Sequence, residues 1–188
     1  MKKLLIEALI GILLIAGGLI LWNLRLDNEI TDAQPASPST NQPAKAPVKA
    51  TIEGEPNSLS IPSMGMSWTI IPGYYNSSTK QWTLTLSEVQ YATITPPPNN
   101  ASGNTFLYGH YRPEVFARLH LIQIGTQAVV TTTNGHSFTY QLAKIEVVSP
   151  SDDSLFLYQG PPILTIQTCT GLFFQNRQLF VFNLISVT

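Results

Sequence analysis

The sequence predicts an all-β domain: a closed or nearly closed barrel of eight strands with one or two short helices, preceded by an N-terminal transmembrane helix. Short runs of β-branched, aromatic or alternating residues follow one another, separated by Gly, Pro, Asn and Ser. The connections between them are too short for repeated crossovers, which favours a mostly antiparallel sheet, and closure removes its edges. A long apolar stretch precedes all of them.

The composition of residues 1–26 predicts a membrane anchor. Lys2 and Lys3 precede residues 4–22, which are almost wholly apolar, with Glu7 as the exception. About 19 residues rising 1.5 Å each span a hydrocarbon core of roughly 30 Å. A cleaved signal peptide and a buried helix are the alternatives, but no small-x-small cleavage site follows the run directly. Because the lysines favour a cytoplasmic N-terminus, we expect a single-pass cell-membrane protein with its domain on the extracellular side.

Residues 27–56 predict a flexible linker, because they are rich in Pro, Ser and Ala and have no apolar periodicity. The proline-containing part of it, residues 27–50, has about 24 residues and an end-to-end distance of roughly 25–30 Å, enough to hold a domain off the membrane. The folded domain is expected in residues 57–188. It is long enough for one hydrophobic core.

The first half of the domain contains four strand candidates. Residues 59–61 alternate and stop at Pro62, and residues 66–71 form a second run. Residues 82–86 read Trp-Thr-Leu-Thr-Leu, a strict alternation that indicates a half-buried strand. Residues 89–95 follow and are closed by three prolines, which cannot continue a ladder.

The middle of the domain predicts a short strand, a helix and a hairpin. Residues 105–108 are apolar and end at a Gly-His pair, and residues 113–119 have helical spacing after a proline. Residues 127–133 and 136–148 have strand character and flank Asn134-Gly135, a pair typical of a type I′ hairpin turn.

The last two strands bring a thiol and a guanidinium together. Residues 163–169 are apolar and β-prone and end at Cys169, the single cysteine, so no intramolecular disulfide exists. Arg177 comes eight residues later and precedes the strand-like run 178–187. If the two runs pair as an antiparallel hairpin, Cys169 and Arg177 face each other. Cationic neighbours stabilise a thiolate, so this pair predicts the edge of an active site.

A proton carrier for that thiol is expected at His110, which follows a short apolar strand and begins a loop. A cysteine nucleophile in acyl transfer needs such a group for the leaving amine, and arginine can donate to the oxyanion. His120 and His136 are the rival bases. Arg112 and Arg118 are the rival cations.

These residues resemble the sortase family. Residues 165–169, Thr-Ile-Gln-Thr-Cys, are similar to the family's Thr-Leu-x-Thr-Cys box with Ile for Leu, and Gly109-His110 is similar to its histidine turn. Arg177 precedes the last predicted strand, as the family's arginine does. Residues 59–65, Leu-Ser-Ile-Pro-Ser-Met-Gly, resemble the opening strand of sortase domains. The resemblance covers about residues 57–188, with its motifs in order.

The resemblance implies a cysteine transpeptidase on a β-barrel, on the outer face of a Gram-positive-type envelope. Cys169 would attack the Thr–Gly bond of a Leu-Pro-x-Thr-Gly-like sorting signal. His110 would protonate the departing amine and later take a proton from the incoming one. Arg177 would hold the substrate backbone and help to stabilise the oxyanion.

The resemblance also implies substrate contacts at Thr168, Thr165 and Ile166. The expected partners are secreted proteins that carry a sorting signal and an amine acceptor, such as a peptidoglycan stem peptide or a lysine. The chain shows no second membrane segment and no Asp-Pro-aromatic lid motif. Both absences weaken a pilin-polymerising role and place the chain nearest the single-anchor classes A, D, E and F.

Other chemistry is not favoured. A formal net charge of −1 gives no basic surface for nucleic acid, and one cysteine with three scattered histidines lacks metal-ligand spacing. Asp152-Asp153 leaves calcium as an alternative, although two adjacent acids are usually a solvated loop, so no cofactor is expected. Two functional alternatives stay open: a non-catalytic anchored β-domain that binds a partner, and a cysteine hydrolase on the same scaffold.

Overall fold

The computed structural model describes residues 50–188. The expected anchor, residues 1–26, and most of the expected linker lie outside these residues. None of the helices formed by residues 50–188 has the length and apolar character of a membrane span. Residues just before the first strand are attached to the domain, because the Ile52 amide donates to Asn100 and the Asn134 side chain donates to the Glu53 carbonyl.

Eight strands close into a barrel in the order β1-β2-β5-β6-β9-β10-β8-β7, and β3 and β4 form a separate two-stranded sheet. The strands are β1 (Pro56–Ile61), β2 (Met66–Gly73), β3 (Tyr75–Asn76), β4 (Gln81–Trp82), β5 (Val89–Ala92), β6 (Asn104–Tyr108), β7 (Gln127–Thr132), β8 (Ser137–Val148), β9 (Ile163–Thr170) and β10 (Asn176–Val187). Two short 3₁₀ helices cover Pro62–Met64 and Ala117–Leu121. The prediction of an all-β, eight-stranded closed barrel with short helices is confirmed.

The barrel is mostly antiparallel, as predicted, but two neighbouring pairs are parallel. These are β2 with β5 and β6 with β9. A parallel pair needs a connection that returns along the barrel before the next strand begins. For β2 and β5 that connection is residues 74–88, which carry the β3–β4 hairpin on the outside of the barrel.

The predicted strand at residues 82–86 is wrong beyond Trp82. The β4 strand is only Gln81–Trp82, paired with Tyr75–Asn76 of β3. Leu84 and Leu86 are exposed, so the Thr-Leu-Thr-Leu alternation does not mark a half-buried strand. The backbone beyond Trp82 instead bonds to side chains, as when the Thr85 amide donates to Gln90.

Two further local predictions need correction. The helix expected at residues 113–119 is a 3₁₀ helix at Ala117–Leu121, although Phe116 and Leu119 are buried in the core as their spacing implied. The hairpin at Asn134-Gly135 exists, but only Gly135 has a positive φ, of 89°. A type I′ turn needs positive φ at both central residues, so the turn is of another type.

The barrel has one apolar cluster inside and one outside. The inner core is built from large, fully buried side chains of several strands, among them Leu107, Tyr140 and Phe180. The outer cluster lies on β5, β6 and β10 and consists of Ala92, Phe106, Tyr108 and Leu179, with Trp82, Val148, Leu155 and Phe156 packed against it. Side chains alternate along a strand, so Phe106 and Tyr108 point outward while Leu107 points inward.

Candidate active site

Cys169 lies near the end of β9, and Arg177 lies opposite it on β10. The antiparallel register pairs these two residues directly, and the predicted juxtaposition is therefore confirmed. The thiol-bearing residue is half-buried. Directly opposed residues on neighbouring strands have Cβ atoms about 4.5–5.5 Å apart, so the guanidinium is within reach of the thiol.

His110 lies on the other side of Cys169. Strand β6 runs parallel to β9 with Tyr108 opposite Gln167, and the Gly109 amide donates to the Gln167 carbonyl over 3.1 Å. His110 is two residues beyond Tyr108, and Cys169 is two residues beyond Gln167. The two therefore leave the carboxyl ends of adjacent strands, which lie about 4.8 Å apart.

Glycine is required directly before the histidine. A Cβ at Gly109 would lie 2.8 Å from Val115 Cγ1 and 3.1 Å from the Phe116 ring. These residues belong to the segment that crosses the end of the barrel and fills its core. Because glycine has no Cβ, the turn that carries His110 can pack closely against this segment.

One cleft of about 670 Å³ contains the three predicted catalytic residues. His110, Cys169, Arg177 and Thr168 line it. The rest of its lining comes from the β3–β4 region and from the connection between β8 and β9, including Tyr75, Trp82, Leu84, Asp152, Phe156 and Leu157.

The cleft has an aromatic floor. The Trp82 ring stacks on Phe156 with centroids 5.5 Å apart and meets Tyr108 edge-on at 5.4 Å. Phe106 lies 4.4 Å from Phe156. Aromatic pairs at these separations pack favourably beyond their buried area. The floor can therefore receive an apolar part of a ligand while the thiol remains at one end.

The rival histidines and arginines do not line this cleft. His120 Nδ1 lies 2.6 Å from the Ala117 carbonyl oxygen, and His136 lies beside Phe138. Arg112 is 3.6 Å from a Glu114 carboxylate oxygen, and Arg118 donates to the Met64 carbonyl. Among the described histidines and arginines, His110 and Arg177 are the ones that share the cleft with the thiol.

A family model described as the sortase domain matches residues 59–184. The chain belongs to the sortase family. The recognition made from the Thr-Ile-Gln-Thr-Cys box, the histidine turn and the arginine is thereby confirmed.

Solved structures of sortases share this fold. Sortase E1 from Streptomyces coelicolor, solved with a tripeptide in its active site, is 27% identical over 72% of this chain and 90% of its own, with a TM-score of 0.56. Sortase C-1 from Actinomyces oris is 26% identical over 69% of this chain and 73% of its own, with a TM-score of 0.55. Sortase A from Corynebacterium diphtheriae is 20% identical over 72% and 62%, with a TM-score of 0.59, and supports the fold alone. No curated protein matches the chain. Because these structures come from three sortase classes, they do not decide the subclass.

Two of the residues expected to contact substrate in this sortase do not reach the cleft. Thr165 and Ile166 are both 0% exposed. Ile166 points into the barrel core, and the Thr165 hydroxyl is buried without a hydrogen-bond partner. They support the strand that presents Cys169, and the expectation of direct substrate contact at these two positions is corrected.

Thr168 lines the cleft, but its hydroxyl is already engaged. The residue is 2% exposed, and its Oγ1 donates to the Gly109 carbonyl over 3.0 Å. This bond joins the cysteine strand to the histidine turn. Thr168 therefore acts on the site by fixing His110 relative to Cys169.

Replacing Thr168 with valine should lower kcat/KM for a peptide substrate about 10-fold, because a misplacement that costs about 1.4 kcal/mol in the transition state has that effect. The Gly109 carbonyl would also lose its partner, which should destabilise the fold by about 1–3 kcal/mol. Steady-state kinetics and thermal unfolding measure the two effects. Thr168→Ser keeps the hydroxyl and should remain close to the wild type; equal losses in both variants would contradict this role.

Arg177 also shapes the loop after Cys169. Its Nη1 donates to the carbonyls of Phe174 and Asn176, each at 3.2 Å. Phe174 has a φ of 56°, so this loop has a left-handed residue that the arginine helps to hold. The remaining guanidinium N–H groups make no hydrogen bond within the described residues and are free for an oxyanion or a peptide carbonyl.

The sequence does not predict the residues that line the rest of the cleft. Its alternation places Trp82 in a half-buried strand, and it indicates no role for Phe156 or Leu157. Asp152, the candidate calcium ligand, accepts hydrogen bonds from the Ser154 amide and hydroxyl, and these bonds hold the pKa of the Asp152 carboxyl below its usual range. Residues 50–188 contain no group of three or more His, Cys, Asp or Glu side chains placed to hold a metal ion.

Proposed function

We propose that this sortase cleaves a Leu-Pro-x-Thr-Gly-like sorting signal through a thioacyl-enzyme on Cys169 and joins the new acyl group to an amine. The observation that supports this proposal is that His110, Cys169 and Arg177 follow one another, in this order, across neighbouring strands that line one cleft. Cys169 stands between a parallel neighbour that carries His110 and an antiparallel neighbour that carries Arg177. Nucleophile, proton carrier and oxyanion donor are thus arranged along one edge.

The first half-reaction forms the thioester. The Cys169 thiolate attacks the scissile carbonyl carbon, and Arg177 donates to the oxygen as it becomes negative. The C–N bond then breaks, and protonated His110 gives its proton to the departing glycine amine, which leaves as a neutral amine.

The second half-reaction transfers the acyl group. The incoming amine attacks the thioester carbonyl and gives a proton to His110. The C–S bond breaks, the Cys169 thiolate is restored and the product is an amide. Water in place of the amine would give a carboxylic acid instead, which is the hydrolase outcome.

The proposed substrates are secreted proteins that carry a sorting signal, and the proposed acceptors are a peptidoglycan stem peptide or a lysine amine. The tripeptide bound in the active site of Sortase E1 supports a peptide substrate for this chain. The apolar run at residues 4–22 supports a location on the cell membrane with the domain outside. A membrane-impermeant thiol reagent should then label Cys169 in intact cells; labelling only after lysis would place the domain inside.

The function can be tested with the full-length chain in detergent. A fluorogenic sorting-signal peptide is incubated with and without triglycine, and the products are identified by mass spectrometry. Cleavage together with a triglycine amide supports the transpeptidase. Cleavage that yields only the acid with every acceptor would make the protein a hydrolase, and no cleavage across a broad peptide library would leave a binding domain.

A further inference from the structure

We infer that Gln90 and Tyr108 are positioning residues that set where one wall of the peptide cleft stands relative to Cys169. The inference rests on the proposed function of the cleft. It concerns the segment at residues 83–88, called here the wall segment, which links β4 to β5. Thr83 and Thr85 of this segment are the points of attachment.

Gln90 and Tyr108 are a direct cross-strand pair between β5 and β6. Both face the outside of the barrel, yet they are only 1% and 6% exposed, because the wall segment and its neighbours cover them. Buried polar groups are costly unless they are hydrogen-bonded. Their polar atoms therefore need partners in the covering chain.

All of these polar atoms bond to the wall segment. The Tyr108 hydroxyl donates to the Thr83 carbonyl over 2.8 Å, and Gln90 Nε2 donates to Thr83 Oγ1 over 3.1 Å. The Thr85 amide donates to Gln90 Oε1 over 2.9 Å. Since a backbone N–H can only donate, this last bond fixes which end of the Gln90 amide faces Thr85. Burial also raises the pKa of the Tyr108 hydroxyl, so it stays protonated and able to donate.

The hydrogen bonds to Thr83 fix residues that line the cleft, whereas the wall segment itself adds little to the apolar core. Trp82 and Leu84, on either side of Thr83, both line the cleft. No residue of the wall segment belongs to either apolar cluster, and Leu84 and Leu86 are 48% and 63% exposed. The segment is thus held by these hydrogen bonds and by two that join Thr83 to Tyr74, with little help from apolar burial.

The same strand positions the catalytic centre. Strand β6 continues from Tyr108 through Gly109 to His110, so one rigid element carries both the wall anchor and the proton carrier. The Tyr108 ring reaches the wall by passing Gly73, where a Cβ would lie 2.1 Å from the tyrosine oxygen. The distance between the wall segment and Cys169 is therefore fixed, and a substrate peptide that binds between them has to fit it.

The test uses Thr83→Val in the full-length chain, because valine keeps the shape and removes the hydroxyl, which accepts hydrogen bonds from Gln90 Nε2 and from the Tyr74 amide. We expect KM for the sorting-signal peptide to rise about 5- to 10-fold, the effect of losing one or two hydrogen bonds, with kcat within about 2-fold. Tyr108→Phe removes the bond to the Thr83 carbonyl, leaves the bond between Thr83 and the Tyr74 amide in place, and should act in the same direction. Thr83→Ser keeps the hydroxyl and should leave KM close to that of the wild type. Thr69→Val, a substitution at an exposed position of β2 outside the cleft, is the matched control.

A second readout does not depend on activity. Hydrogen–deuterium exchange of residues 81–88 should be faster in Thr83→Val than in Thr83→Ser, whereas the alkylation rate of Cys169 by iodoacetamide should not change. Faster exchange in a protein that cleaves no peptide would support the anchor while the proposed function fails. Unchanged exchange, or a fall in kcat with KM unchanged, would overturn the inference.

Discussion

Replacing Cys169 with alanine is expected to lower kcat/KM for the sorting-signal peptide by at least about 10⁴-fold. Covalent catalysis splits one difficult acyl transfer into two easier steps, and without the thiol neither step can occur. Removing a nucleophile from a catalytic group that acts as a unit typically costs most of the rate enhancement. The fluorogenic peptide assay measures the loss, and the thioacyl adduct seen by intact-mass spectrometry with the wild type should be absent.

This prediction separates chemistry from folding. Cys169 is half-buried at a strand end, so alanine removes one sulfur atom and should leave the thermal unfolding temperature nearly unchanged. Peptide binding measured by fluorescence anisotropy should also persist, because the aromatic floor and the wall segment remain. Cleavage that continues at an undiminished rate in Cys169→Ala would refute the proposed mechanism outright.

The register around this cysteine could be predicted from sequence alone. A β-prone run that ends at Cys169 and a second run that begins beside Arg177 define a hairpin, and in an antiparallel hairpin equidistant residues face each other. The structure pairs the two residues in this way. Here local information was sufficient, because the loop is short and both strands belong to the same hairpin.

The contacts of the Thr-Ile-Gln-Thr-Cys box could not be predicted in the same way. Alternation places Thr165 on the same face as Cys169, so substrate contact there was a reasonable expectation. Thr165 is nevertheless fully buried, as is Ile166 on the opposite face. Which part of an outer barrel face is covered depends on where long connections cross it, and a sequence pattern does not report that.

The wall segment is a second case in which a local pattern does not show where a long connection runs. Residues 82–86 alternate like a strand, but the connection from β2 to its parallel neighbour β5 must cross the outside of the barrel. Its backbone then bonds to the side chains of Gln90 on β5 and Tyr108 on β6. Tertiary context thus overrode the strand pattern, because the local alternation had no neighbouring strand to pair with.

Replacing His110 with glutamine is expected to lower kcat/KM for the amide substrate by about 10²–10⁴-fold, the usual contribution of a general acid–base group. Glutamine approximates the size of the imidazole but cannot carry a proton at neutral pH. The loss should depend on the leaving group. An amine must be protonated before it departs, whereas the thiolate of a weakly basic aryl thiol leaves without a proton.

A matching peptide aryl thioester therefore tests the role of His110 directly. With this substrate, thioacyl formation in His110→Gln should be within about 10-fold of the wild type, because the proton donor is no longer needed in the first step. His120→Gln and His136→Gln should leave the rates with both substrates unchanged, since neither side chain lines the cleft. Equal losses on amide and thioester would mean that His110 acts by positioning Cys169, and a loss confined to His120→Gln or His136→Gln would move the proton carrier to that residue. The leaving-group dependence is the decisive quantity, because structural damage at the histidine turn would slow both substrates alike.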